Sequence, residues 1–216
     1  MKNILIFVAY FLLGAFLIFS FRKFTQTMSS QQLKSPLPSF SFSLTDAPNE
    51  SLKGEIVSLS GNVGWQSRTA TIPAQITGPM PIIQQGEEIK TLDSGVAELV
   101  FLSNADITIN PKTEVDVVQT LPTNILFGQN SGIADYKKLG TVPLSVRSQN
   151  LLVKINQGEI TISVSQKQPY ITVDVINGSA TVGYNDINFV TQILDITSGK
   201  SLLFNTESKK VKILKD

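Results

Sequence analysis

The chain has 216 residues, 42% of them hydrophobic, with 18 basic against 17 acidic side chains. Neither cysteine nor histidine occurs anywhere, which excludes thiol nucleophiles, Ser-His-Asp triads and zinc sites of the usual nitrogen and sulfur type. From residue 54 onward 13 Lys and Arg face 15 Asp and Glu, a net −2 that gives nucleic acid no general attraction.

Residues 1–3 precede an uncharged apolar run over residues 4–21. A helix of that length, at about 1.5 Å per residue, spans roughly 27 Å, close to the hydrocarbon thickness of a bilayer. The run is longer than a signal-peptide apolar region and ends in Ser20-Phe21-Arg22-Lys23-Phe24, without a small-x-small cleavage site. A transmembrane helix is therefore expected over 4–21 rather than a cleaved signal. Phe, Leu and Ile around its whole circumference argue against a buried soluble helix. Lys2 on one side and Arg22 with Lys23 on the other leave the orientation open. Residues 22–53 are rich in Ser, Gln and Thr and broken by Pro36, Pro38 and Pro48, the composition of a flexible linker. Within it, residues 39–44 alternate apolar with polar and offer an extra strand.

From Gly54 the pattern is β throughout. Runs at 55–59, 61–66 and 69–76 come first, with Pro73, Gly78, Pro79 and Pro81 breaking the third. Residues 86–118 then hold four short runs, 89–92, 96–102, 106–110 and 114–118. Asp93-Ser94-Gly95, Ser103-Asn104-Ala105 and Pro111-Lys112 separate them, which predicts an antiparallel meander. Alternation places Ala97, Leu99, Phe101, Ile107, Ile109, Val115 and Val117 on a core face, with Glu98, Thr108, Asn110, Glu114 and Asp116 on a wetter one. Residues 121–141, with Pro122, Gly128, Gly132 and Gly140, read as the longest loop of the body and the first candidate for a partner-binding surface.

Two similar units follow, 153–162 and 173–182, each with a glycine between alternating runs. Gly158 and Gly178 are accordingly expected to form hairpin turns with positive φ. Runs at 194–196, 202–205 and 209–214, with a turn at Ser198-Gly199, complete the sheet, and no segment after residue 22 has helical periodicity. The fold class expected for residues 54–216 is all-β, an antiparallel β-sandwich or jelly-roll-like body, behind one N-terminal transmembrane helix.

No residue set stands out as catalytic, cofactor-binding or metal-binding. Glu87 and Glu88 are adjacent, so in a strand they point to opposite faces, and a solvated strand start explains them better than a catalytic pair. Asn104, Asp106 and Asn110 carry ligand oxygens, but their spacing is not that of a calcium loop, and turn capping accounts for them. Ser198-Gly199-Lys200 and Ser145-Val146-Arg147 lack the Ser-x-x-Lys spacing of an acyl-transfer motif. Trp65, the single tryptophan, reads as a core aromatic rather than a sugar-stacking platform. The lysines of 209–215 suit a protected edge strand, with a polyanion-binding patch as the alternative.

These glycine-punctuated pieces, in this order, resemble the FecR protein domain. Gly54-Glu55-Ile56-Val57-Ser58-Leu59-Ser60-Gly61 is similar to the opening of that domain. Gly86-Glu87-Glu88-Ile89-Lys90-Thr91, residues 97–101 and Pro111-Lys112-Thr113 match its Gly-acid-x-Ile-x-Thr segment, alternating strand and Pro-x-Thr. Val146-Arg147-Ser148 with Gly158, Val173-Asp174-Val175-Ile176-Asn177-Gly178 and Asp195-Ile196-Thr197-Ser198-Gly199 look like its later pieces, so the resemblance covers about residues 54–205. Asn104-Ala105 stands where the family has Asp-Gly, and Gly158-Glu159 where it has Gly-Thr. The resemblance implies an extracytoplasmic β body, with residues 1–3 a short cytoplasmic tail where sigma-regulating members carry a signalling region. The expected role is a non-enzymatic binding, sensing or scaffolding module at the cell envelope, its partners the membrane through residues 4–21 and an envelope protein or surface polymer. The alternative is a single-helix jelly-roll that bridges membranes in lipid or polymer transport, which requires an apolar groove between its sheets.

Overall fold

The computed structural model describes residues 46–215. The helix expected at 4–21, most of the linker and the alternating 39–44 segment lie outside the described residues. No helix among the described residues is long and apolar enough to cross a membrane.

All regular structure among the described residues is β, as the alternation requires. Eight short strands come first: β1 (Gly54–Ser60), β2 (Val63–Gln66), β3 (Ala74–Gln75), β4 (Ile82–Ile83), β5 (Glu88–Thr91), β6 (Val96–Phe101), β7 (Ala105–Ile109) and β8 (Glu114–Leu121). Three of the remaining strands are long: β9 (Asn124–Lys138), β11 (Leu151–Val164) and β12 (Tyr170–Asn185). Around them lie β10 (Leu144–Ser148), β13 (Thr191–Thr197), β14 (Lys200–Asn205) and β15 (Lys210–Lys215).

The long strands change partners midway. β9 pairs with β8 up to Ser131 and, in parallel, with β10; from Gly132 it pairs with β11 and β7. β11 pairs with β10 through Ile155 and with β9 from Gly158. β12 pairs with β14 through Val175 and with β13 from Ser179. The ladder thus divides into two half-sheets. One holds β3, β2, β5, β8, the start of β9, β10, the start of β11, the end of β12 and β13. The other holds β4, β1, β6, β7, the end of β9, the end of β11, the start of β12, β14 and β15. Rings from the two halves meet in the core: Phe101 stands edge-on to Phe127 at 5.3 Å, and Tyr184 lies 5.4 Å from Phe204.

This exchange overturns the hairpin expectation. Gly158 and Gly178 face each other in the middle of the β11–β12 pair, both at φ 84°, and the register shifts beside them. A positive-φ glycine between alternating runs serves a bulge as well as a turn, and here the pairing continues on both sides of it. The connection between β11 and β12 comes later, at residues 165–169, where the Ser165 hydroxyl accepts the Lys167 and Gln168 amides at 3.3 and 3.0 Å.

The meander is corrected in the same way. β6 pairs with β7, but β5 pairs with β2 and β8, and β7 with β9. Asp93-Ser94-Gly95 and Pro111-Lys112 are therefore corners that carry the chain between half-sheets, and turn residues do not distinguish a corner from a hairpin. The expected 121–141 loop is also a correction. Apart from the tight Leu121–Asn124 connection and residues 139–141, it is strand β9, with Gly132 at φ 80° marking the change of half-sheet.

Core-facing residues fall where alternation puts them: Ala97, Leu99, Phe101, Ile107, Ile109, Val115 and Val117 are at most 2% exposed. They belong to a cluster of 32 buried apolar residues that fills the space between the half-sheets. Among the polar groups buried with it are the linked Gln129 amide and Tyr136 hydroxyl. The fully buried Gln129 donates to the Gly132 and Ile162 carbonyls, both at 3.0 Å, and accepts the Tyr136 hydroxyl at 3.1 Å. Those bonds satisfy groups that would otherwise destabilise the interior, and burial pushes the Tyr136 phenol well above its usual range.

Candidate functional site

The outer face of the second half-sheet carries a groove of about 770 Å³. Its floor is one cross-strand row. Ile133 of β9 stands opposite Ser163 of β11, Ser163 opposite Thr172 of β12, and Thr172 opposite Leu203 of β14. Alternation turns the neighbours of these residues inward, Ala134, Ile162, Val173 and Leu202 being fully buried, so the row is left facing solvent. Two apolar side chains thus flank two hydroxyls. The β11–β12 connection forms one wall with Gln166, Lys167 and Gln168, Tyr170 closes that end, and Pro111 with Lys112 approaches from the corner between β7 and β8.

Tyr170 and Ile133 offer apolar surface, being 36% and 45% exposed. Lys112 pairs with Asp93 at 3.2 Å on open surface, where such a pair is weak. Asp93 is outside the groove, and among the described residues no carboxylate lines it. The groove therefore presents the Lys167 ammonium, the Lys112 ammonium with Asp93 beside it, hydroxyls, amides and a phenol. That composition suits an anionic, hydroxyl-bearing ligand laid across four strands.

A second, polar cluster lies on the first half-sheet beside a cavity of about 350 Å³. Glu87, expected to be solvated, is only 6% exposed, which corrects that expectation. The positive φ of Gly86 turns the chain so that the Glu87 carboxylate accepts Trp65 Nε1 at 3.0 Å and the Gln84 amide at 2.9 Å. Burial raises its pKa, which those two bonds and nearby Arg68 only partly offset. Trp65 packs against the core, as its strand position predicts. Glu88 stands opposite Asp116 on the wetter face, and Lys90 opposite Glu114. Lys90 bonds Glu114 at 2.7 Å, and the Asn130 amide spans Glu114 and Asp116 at 3.1 and 3.0 Å. Desolvation, then repulsion from Glu114 and Asp116, raises the Glu88 pKa, and desolvation raises that of Asp116; the Lys90 bond lowers that of Glu114.

The remaining singled-out residues stay apart. The Asn110 amide donates to Asp135 at 2.9 Å, and Thr161 donates to the same carboxylate at 2.5 Å. Among the described residues no group of three or more acidic side chains is placed to hold a metal ion. Ser198 Oγ faces the Gly178 carbonyl at 3.4 Å, inside the bend between β13 and β14. The lysines of 209–215 lie on or beside β15, which among the described residues pairs only with β14 and so is an edge strand. Of the 121–141 segment, Gly132 and Ile133 reach the groove. Ser163, Thr172, Tyr170 and Leu203 carry no sequence signal beyond outward alternation, because only register brings them into one row.

No family model matches the sequence, and neither does any curated protein. Two crystal structures of a candidate anti-sigma factor from Parabacteroides distasonis ATCC 8503, at 2.50 and 1.65 Å resolution, are similar in fold. Each superposes with a TM-score of 0.53 at 14% identity over 60% of this chain and 59% of that one. The chain thus matches about three fifths of the length of that protein, and at this identity the likeness is one of fold.

Proposed function

We propose that this chain is a membrane-anchored, FecR-like β-sandwich, extracytoplasmic and non-enzymatic, whose groove binds an anionic surface polymer of the cell envelope in a sensing or scaffolding role. Residues 4–21 are the anchor and residues 22–53 the linker that holds the body off the bilayer. The motif order from Gly54 to Gly199 and the fold likeness to a candidate anti-sigma factor support the family reading.

The observation that carries the binding role is the groove across β9, β11, β12 and β14, with Lys112 and Lys167 in its lining and no carboxylate among the described residues there. The bridging alternative is disfavoured because aromatic and branched side chains fill the space between the half-sheets, where a lipid path would have to run. An enzymatic reading would rest on Glu88 and Asp116. Lys90 and Asn130 tie their neighbourhood into a surface network, which accounts for it without a reaction.

The test is retention of the full chain, in mild detergent, on immobilised polygalacturonate, with neutral dextran as the control matrix. Wild type is expected to bind polygalacturonate and to be released by salt, as screened charge pairing requires. Lys112→Glu with Lys167→Glu is expected to weaken binding by about tenfold or more, since each reversal replaces an attraction by a repulsion. Lys154→Glu, on an exposed position of β11 outside the groove, is expected to leave it unchanged. Equal retention of wild type and the double variant would reject the groove.

A further inference from the structure

Two of the ladder ends, β13 and β15, lie on the same side of the body. Among the described residues β13 bonds only to β12, and β15 only to β14. β13 and β14 follow each other along β12 with a bend at Ser198-Gly199, and β15 lies outside β14, so the free edges of β13 and β15 flank one side of the two half-sheets. Lys215 lies opposite Lys200 at the bend, and at the far end Lys209 lines one cavity with Phe189 and Thr191. The other two ladder ends, β3 and β4, have two residues each and lie beside Pro73 and Pro81, so they offer almost no strand to pair.

The two open edges are opposite in charge. Over residues 186–197 the charged side chains are Asp186 and Asp195, whereas 208–215 carries Lys209, Lys210, Lys212 and Lys215. Both edges also expose apolar surface, with Ile193 68% and Ile213 45% exposed. A seven-residue edge with unpaired backbone groups, no proline, no lysine and an exposed Ile is a template for strand addition.

We propose that the occupant is a second copy of this chain, with β13 of each protomer laid along β15 of its partner about a two-fold axis. Pairing β15 with itself would crowd lysines, whereas β13 with β15 joins acid to base. Because one chain carries both edges on one side, a two-fold axis along the strands makes both junctions at once and closes the assembly. Both strands run towards the Ser198-Gly199 bend, so the pairing is parallel. With Asp195 beside Lys212 on the outer face, Leu194 comes beside Val211 and Ile196 beside Ile213 on the inner face. The cores of the two protomers then continue into each other.

The absence of native cysteine makes the test direct. Full chain carrying Asp195→Cys and Lys212→Cys is oxidised in mild detergent and run on a non-reducing gel. A covalent dimer is expected from the double variant and none from either single variant, because position 195 meets 212 and not itself. A double variant that stays monomeric, or an Asp195→Cys variant that cross-links as well as the double, overturns the proposal. In sedimentation, Asp195→Lys is expected to weaken the dimer by about tenfold or more, and Asp195→Lys with Lys212→Asp to restore it. Failure of the charge swap to restore association likewise rejects this pairing, whatever the groove binds.

Discussion

Replacing Gly158 by Ala tests the claim that positive-φ glycines hold the two half-sheets in their observed arrangement. Gly158 has φ 84°, and a β-carbon there would run into the Asn177 carbonyl oxygen and side chain. The left-handed conformation costs an alanine about 1–2 kcal/mol. Relieving the overlap requires β12 to withdraw locally, which loses one or two ladder bonds at about 0.5–1.5 kcal/mol each. A loss of roughly 2–4 kcal/mol follows from these contributions, a large part of the ~5–15 kcal/mol that stabilises an ordinary domain. For a body of this size that corresponds to a Tm lower by roughly 5–15 °C. Urea unfolding followed through Trp65 emission, with thermal melting by circular dichroism, measures it. Gly78→Ala is the control, since a β-carbon there meets nothing within 4 Å and its φ is not positive. If Gly158→Ala changes stability by less than about 0.5 kcal/mol, as surface substitutions do, the bulge does not need glycine and the reasoning fails.

Tyr136→Phe leaves the buried Gln129 Oε1 without its donor and is expected to cost about 1–3 kcal/mol in urea unfolding; a neutral result would mean that the amide finds another partner. Glu87 is expected to make stability pH-dependent. Its folded-state pKa is raised above the ordinary 4.5, so the folded chain holds the proton more tightly, and stability falls as pH rises from about 4.5 through the raised value. Glu87→Gln removes that penalty and should gain on wild type at pH 7 more than at pH 4; an equal offset at both pH values would reject the burial argument. Asp116→Asn should leave polygalacturonate retention unchanged, and its loss would move the binding surface to the first half-sheet.

Period-two alternation made the strands and the core face of residues 97–117 legible, because burial on one face is a local property of a strand. It could not say which strand pairs with which. Asp93-Ser94-Gly95, Pro111-Lys112 and Gly158 have the composition of hairpin turns, yet they make corners and a bulge, and the choice depends on contacts between residues distant in sequence, such as Gly158 with Asn177 and Thr113 with Thr91. The groove was hidden for the same reason. Ile133, Ser163, Thr172 and Leu203 are scattered through the sequence, and each alone is an unremarked outward residue. The burial of Glu87 is not legible locally, since its hydrogen bond from Trp65 forms across the β2–β5 pairing.

The groove can meet an envelope polymer only if the β body stands outside the cytoplasm, so protease accessibility in bacterial spheroplasts tests the account most directly. With residues 4–21 as anchor and residues 1–3 inside, external protease is expected to cut within 22–53 and to remove the body from the membrane fraction. Protection of residues 54–216 in intact spheroplasts, with digestion only after lysis, would contradict it.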